Sequence, residues 1–127
     1  MRRIFYLLAV MLLLSGCGGT ITVESTYQQI TQEEAKDMMD SRDNIIILDV
    51  REQSEFDAGH IPGAVLLPVG SITKSSAAAV VADLDSVVLV YCRSGNRSKT
   101  ASKALAGLGY TNIYEFGGIN TWPYEVE

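Results

Sequence analysis

The sequence predicts an α/β domain built on a mostly parallel central sheet with helices on both faces. Two apolar runs rich in β-branched residues, Ile45–Val50 and Val87–Tyr91, have the continuity of strands covered on both sides. Helix signatures alternate with strand-like segments, and a βαβα order calls for parallel pairing through crossover helices. The 127-residue length supports one such domain with a real core and leaves little room for a second.

Tyr27–Ile30 is expected as a short strand. Thr31-Gln32-Glu33-Glu34 has the spacing of a capping box, and Ala35, Met38 and Met39 give the following helix its apolar stripe. After the Ile45–Val50 strand, Ser54–Ala58 is expected as a short helix capped by Ser54 and stopped by Gly59. Ala64–Leu67 is a brief strand between Pro62-Gly63 and Pro68, and Ala77–Leu84 is expected to be helical. Val87–Tyr91 then leads into the most strongly patterned helix, which follows Ser98. Its stripe is Ala101, Ala104, Leu105 and Leu108, with Gly109 where a left-handed C-terminal cap belongs. Asn112–Phe116 is the last strand, followed by Gly117-Gly118 and a tail containing Trp122.

The formal net charge of −5 and a pI near 4.8 argue against general electrostatic binding to nucleic acid. At the N-terminus, Met1-Arg2-Arg3 precedes 11 uninterrupted apolar residues, Ile4–Leu14. As a helix that run reaches about 17 Å, short of a bilayer core of about 30 Å, and it reads as the apolar region of an export signal. Leu14-Ser15-Gly16-Cys17 resembles the lipobox of bacterial lipoproteins, which implies cleavage before Cys17 and a diacylglyceryl group on its sulfur. The expected organisation is a lipoprotein signal peptide at 1–16, a lipidated Cys17 with a flexible tether at 17–25, and one domain at 26–127. The expected location is a bacterial membrane, on its periplasmic side or at the outer cell surface, held by lipid on Cys17. Loss of Arg2 and Arg3 leaves 8 basic against 15 acidic residues, a net −7. Cys92 is then the one free thiol of the mature chain, and no internal disulfide is possible.

The Val87–Tyr91 strand runs directly into Cys92-Arg93-Ser94-Gly95-Asn96-Arg97-Ser98 and then into a helix. A cysteine at the carboxyl end of a parallel strand lies where open α/β sheets form their ligand crevices. The helix start offers unpaired N–H groups and partial positive charge, and Gly95 lets the backbone curl without a Cβ clash. Arg93, Arg97, Lys99 and Lys103 give residues 92–103 a charge of +4 with no acid among them. Such surroundings lower a thiol pKa from about 8.5 into the range of roughly 3.5–7.5, so Cys92 is read as a reactive thiolate in a local anion site.

With those motifs in view, the chain resembles the single-domain rhodanese-like sulfurtransferases. The resemblance rests on Leu48-Asp49-Val50-Arg51, Glu55 through Ala64, Tyr91 through Ser98, and Gly117-Gly118-Ile119 with Trp122. It covers residues from about 26 to 123 and implies a rhodanese-like fold, with a central, mostly parallel five-stranded sheet flanked by helices on both faces. It also implies sulfane-sulfur transfer through a persulfide on Cys92, with Arg93, Ser94, Gly95, Asn96, Arg97 and Ser98 forming the substrate-binding loop. A small anionic donor such as thiosulfate and a cyanide or thiol acceptor are the expected partners. The sequence names no protein partner.

Protein tyrosine phosphatases place five residues between cysteine and arginine, whereas Arg97 is five positions after Cys92 and Ser98 holds the phosphatase arginine position. The shorter ring of donors suits a second sulfur on Cys92 better than a phosphate, so a small phosphatase or arsenate reductase ranks behind a sulfurtransferase. A persulfide carrier or docking module without turnover is the other alternative. The resemblance assigns His60, the sole histidine, to a turn and packing role, because an anion-site thiolate needs no paired base. Asp49 and Arg51 are expected to brace neighbouring loops. No set of histidine, cysteine and carboxylate has metal-ligand spacing, and neither a metal nor an organic cofactor is expected.

Overall fold

The computed structural model describes residues 26–127. The export signal and Cys17 with its tether lie outside the described residues. In chain order the elements are β1 (Gln28–Gln29), α1 (Gln32–Ser41), β2 (Ile45–Asp49), α2 (Gln53–Ala58), β3 (Val65–Leu66), α3 (Lys74–Val80), β4 (Val87–Cys92), α4 (Asn96–Gly107) and β5 (Asn112–Gly118). The sheet has five strands in the order β1-β5-β4-β2-β3, and every pairing is parallel. This is the expected α/β architecture, with β4 at its centre.

Side-chain alternation along β4 explains why both faces are covered. Val88, Val90 and Cys92 pack on one side with Ala77 and Val81 from the α3 region and Ala101 and Leu105 of α4. Leu89 and Tyr91 pack on the other with Ala35 of α1, Ile61, Phe116 and Trp122. Val88, Leu89, Val90 and Tyr91 are wholly inaccessible to solvent. Full burial of each such aliphatic side chain contributes about 1.5–3 kcal/mol, which makes a continuous apolar run the right sequence for a central strand.

Several boundaries differ from the sequence expectation, each for a local reason. The Thr31 box forms as predicted: Glu34 N–H donates to Thr31 Oγ1 and Thr31 N–H to Glu34 Oε1, both at 3.0 Å. At α2 the cap is Glu52 rather than Ser54, because Glu55 accepts the Glu52 N–H at 3.1 Å. Helix α3 starts and ends earlier than Ala77–Leu84. Thr73 and Ser76 cap each other there, and Val81 leaves the helix in an extended conformation to enter the core. Helix α4 begins at Asn96, so Ser98 lies in its first turn, and Gly109 takes the expected positive φ of 106° after its end.

One buried polar group ties the sheet to its crossovers. Asp49, at the end of β2 and fully buried, receives a forked ion pair from Arg51, with Nη2 at 2.7 Å and Nε at 3.0 and 3.1 Å. The Tyr91 hydroxyl donates to the same carboxylate at 2.6 Å and accepts the Ile61 N–H at 3.1 Å. Burial and the Asp49 carboxylate push the Tyr91 phenol well above its ordinary value, so it stays a donor. Arg51 Nη2 also reaches the Gly59 carbonyl at 2.7 Å. Asp49→Ala strands a buried guanidinium and a buried phenol, and is expected to cost about 3–5 kcal/mol in urea unfolding.

Candidate active site

Cys92 ends β4 and is 1% exposed, so its sulfur lies at the floor of the loop that follows. The chain turns at Gly95, whose φ of 106° is the left-handed conformation that disfavours a side chain. That turn aims the Gly95 N–H at Cys92 Sγ, 3.0 Å away, and starts α4 directly above the sulfur. Burial pushes the Cys92 thiol up. Hydrogen bonding with the Ser98 side chain and with the Ser98, Gly95 and Ser94 backbone outweighs it, and the net direction is down.

The loop approaches β5 so closely that only glycine fits there. A Cβ on Gly118 would collide with the Arg93 carbonyl oxygen and lie 2.6 Å from the Ser94 nitrogen. The β4–β5 register shifts at this point, with Cys92 opposite Gly118. Asn120 N–H closes the contact by donating to the Arg93 carbonyl at 3.1 Å. The loop's path is therefore set by backbone packing against the Gly117-Gly118 pair.

The predicted loop residues divide by environment. Arg93, Ser94 and Asn96 are exposed, whereas Gly95 and Ser98 are buried. Arg97 forks onto Glu55 of α2, with Nη1 and Nη2 at 2.6 and 2.9 Å from its two oxygens. This pairing holds the Glu55 carboxyl down at about 2. His60 stacks on Phe56 at 3.9 Å between ring centres, with Nδ1 3.0 Å from the Phe56 carbonyl and Nε2 3.3 Å from the Glu127 carboxylate. It makes no hydrogen bond to Cys92. Asp49 and Arg51 form the buried pair described above.

Sequence reasoning missed Glu115, which is 2% exposed in β5. Its Oε2 lies 2.5 Å from Ser98 Oγ and 2.8 Å from the Gly117 N–H, and its Oε1 accepts from Gln29 Nε2 at 3.3 Å. Ser98 Oγ is in turn 3.4 Å from Cys92 Sγ. A signal was present: Glu115 follows the core residue Ile113 by two positions, where strand alternation asks for another apolar side chain. Glu55 was visible only as part of a motif, because its pairing with Arg97 spans 42 positions.

The family model for the rhodanese-like domain matches residues 31–124. This chain belongs to the rhodanese-like family. The thiosulfate sulfurtransferase GlpE of Coxiella burnetii (strain RSA 331 / Henzerling II) is 35% identical over 97 residues, covering 76% of this chain and 87% of that protein. YrkF of Bacillus subtilis (strain 168), named as a candidate sulfur carrier, is 32% identical over 104 residues. That match covers 81% of this chain but 55% of YrkF, so the chain spans little more than half of that relative. A solved rhodanese with anions from E. coli superposes with a TM-score of 0.61 at 29% identity, covering 65% of this chain and 96% of that one. The five-stranded parallel sheet with its helices is thus a rhodanese-like fold.

Two outcomes are expected of this rhodanese-like domain. Gly118→Ala drives a methyl group into the Arg93 peptide and is expected to lower thermal stability by more than about 3 kcal/mol, read from melting curves. The Glu55–Arg97 pair is part-exposed and worth about 0.2–1 kcal/mol. Because the folded Glu55 carboxyl is depressed, that contribution is full above the unfolded carboxyl value of about 4.3. It fades as pH falls through about 2. The stability gap between native protein and Glu55→Gln is therefore expected to close over that acidic window in urea titrations.

Proposed function

We propose that this rhodanese-like domain moves sulfane sulfur from thiosulfate, or a similar small anionic donor, to a cyanide or thiol acceptor through a Cys92 persulfide. The observation that carries the reading is the position of Cys92 Sγ at the floor of a loop whose backbone N–H groups converge on it, with Gly95 N at 3.0 Å. The kinship with GlpE supports the same donor class.

The steps balance without a cofactor. Cys92 thiolate attacks the outer sulfur of thiosulfate, a new S–S bond forms, and sulfite leaves with the bonding electron pair. The outer persulfide sulfur carries the negative charge, and loop N–H groups stabilise it as an oxyanion hole would. Cyanide then takes that sulfur as thiocyanate and restores the thiolate. Arg93, exposed at the loop, and Lys99 on α4 are the cations left to draw in the donor, since Arg97 is already matched by Glu55.

The kinship with YrkF favours a second reading, in which the domain receives one sulfur and presents it to a partner. Multiple turnovers of thiosulfate with cyanide support the enzyme, and a single-turnover burst supports the carrier. We further propose that Cys17 carries lipid and holds the domain outside the cytoplasm, on the strength of the Leu14-Ser15-Gly16-Cys17 pattern.

Mass spectrometry of the mature protein from a bacterial host addresses both proposals at once. Thiosulfate is expected to add one sulfur to the peptide containing Cys92, and the N-terminal peptide is expected to start at an acylated Cys17. Equal sulfur labelling of a Cys92→Ser variant refutes the persulfide, and an unmodified N-terminal peptide retaining Met1 refutes the anchor.

A further inference from the structure

We propose that Ser98 and Glu115 form a proton relay behind Cys92, in which Glu115 holds the thiol proton while the sulfur is charged. The proposal rests on Cys92 being the reacting sulfur, and the titration that decides it does not depend on sulfur transfer.

A serine hydroxyl has a single hydrogen to donate. Around Ser98 Oγ lie Glu115 Oε2 at 2.5 Å, the Gly95 carbonyl at 3.0 Å, and the Gly117 carbonyl and Cys92 Sγ both at 3.4 Å. A carboxylate at the shortest distance takes the hydrogen, so Glu115 claims it whenever it carries the charge. The Cys92 thiol then donates to the oxygen of Ser98, giving a chain S–H···O–H···O that runs from Cys92 to Glu115.

A thiolate reverses this demand. It is an acceptor and needs a donor, and Ser98 can turn its hydrogen to the sulfur only when Glu115 no longer claims it. Glu115 releases that hydrogen by becoming protonated. The Cys92 S–H bond breaks as its proton joins Ser98 Oγ, while the original Ser98 O–H bond breaks as that proton joins Glu115 Oε2. No electrons change owner, and the negative charge moves from Oε2 to Sγ. When an acceptor removes the outer sulfur, the same transfers run backward and restore the thiol.

The surroundings are built for this exchange. Glu115 is fixed by the Gly117 N–H and Gln29 Nε2, and Ser98 is wholly buried, so neither group has to move. A neutral group, Gln29 of β1, meets the carboxylate, and Gln32 of α1 lines the same pocket while donating to the Gly118 carbonyl. The cations near the site are Arg93 in the loop and Arg97 and Lys99 on α4, with Arg97 neutralised by Glu55 of α2. A buried sulfur that rests as a neutral thiol avoids the cost of a standing charge and becomes charged only when the relay is thrown. Glu115 acts through Ser98 and is a positioning residue.

The test is a thiolate absorbance titration of the full chain, with the Cys92→Ser curve subtracted to remove tyrosine and any other thiol. A shared proton gives the native protein a two-step rise with a plateau of partial thiolate, since the one-proton state of the pair divides between sulfur and carboxylate. Glu115→Gln and Ser98→Ala are each expected to give a single step. Their persulfidation rate with thiosulfate is expected to fall about tenfold per pH unit below that midpoint, where the native rate is flat. Ser98→Ala keeps the Glu115 charge, so a native-shaped curve in that variant means that Glu115 acts by charge alone and overturns the relay. A single step in the native protein, or two steps in Glu115→Gln, also overturns it. If the fold of one variant fails by circular dichroism, the other still decides. Two steps without any persulfide would leave the relay standing and refute the sulfur-transfer reading instead.

Discussion

The buried Asp49 carboxylate is the constraint on which the rest of the domain depends. It sits at the end of β2, where an unpaired charge would be untenable, and two segments supply its partners. Arg51 folds back on it from the following turn, Tyr91 reaches it from β4, and the Tyr91 hydroxyl passes the connection to Ile61. Arg51 extends the same network to Gly59. Together these bonds pin the crossover after α2 to the two central strands. They also set the floor against which β4 delivers its last residue, Cys92.

The functional end of the sheet is organised by backbone more than by side chains. Gly118 admits the Arg93 peptide where any Cβ would collide, and Gly95 adopts the positive φ that lets the loop curl over the sulfur. These two glycines bring N–H groups onto Cys92 and open α4 above it. The electrostatic picture is sharper than a +4 segment in an acidic protein suggests. Arg97 is matched by Glu55, and a carboxylate, Glu115, stands behind the sulfur through Ser98. The end of the sheet thus has cations at its mouth and a carboxylate behind Cys92.

Local pattern carried much of the fold. Continuous β-branched runs announced β2 and β4, the Thr31 box announced α1, and Gly109 marked the end of α4, because each of these features acts over a few residues. Where a boundary moved, a nearby hydrogen bond of comparable strength had won. Glu52 with Glu55 displaced Ser54 as the α2 cap, and the Thr73–Ser76 pair drew α3 toward its own N-terminus.

By itself the sequence determined the element order, the parallel sheet, the strand end that bears Cys92 and the glycine-bearing loop after it. All of these rest on periodicity and on spacing within one motif. Only the tertiary structure decided that Glu55 would engage Arg97 across 42 positions, that Gly118 would receive Arg93, and that Glu115 would meet Ser98. The physical reason is that a charge or a small residue has no partner until the strands are in register. β5 reads as an ordinary strand with one misplaced acid until it lies beside β4, and then that acid stands behind the Cys92 sulfur.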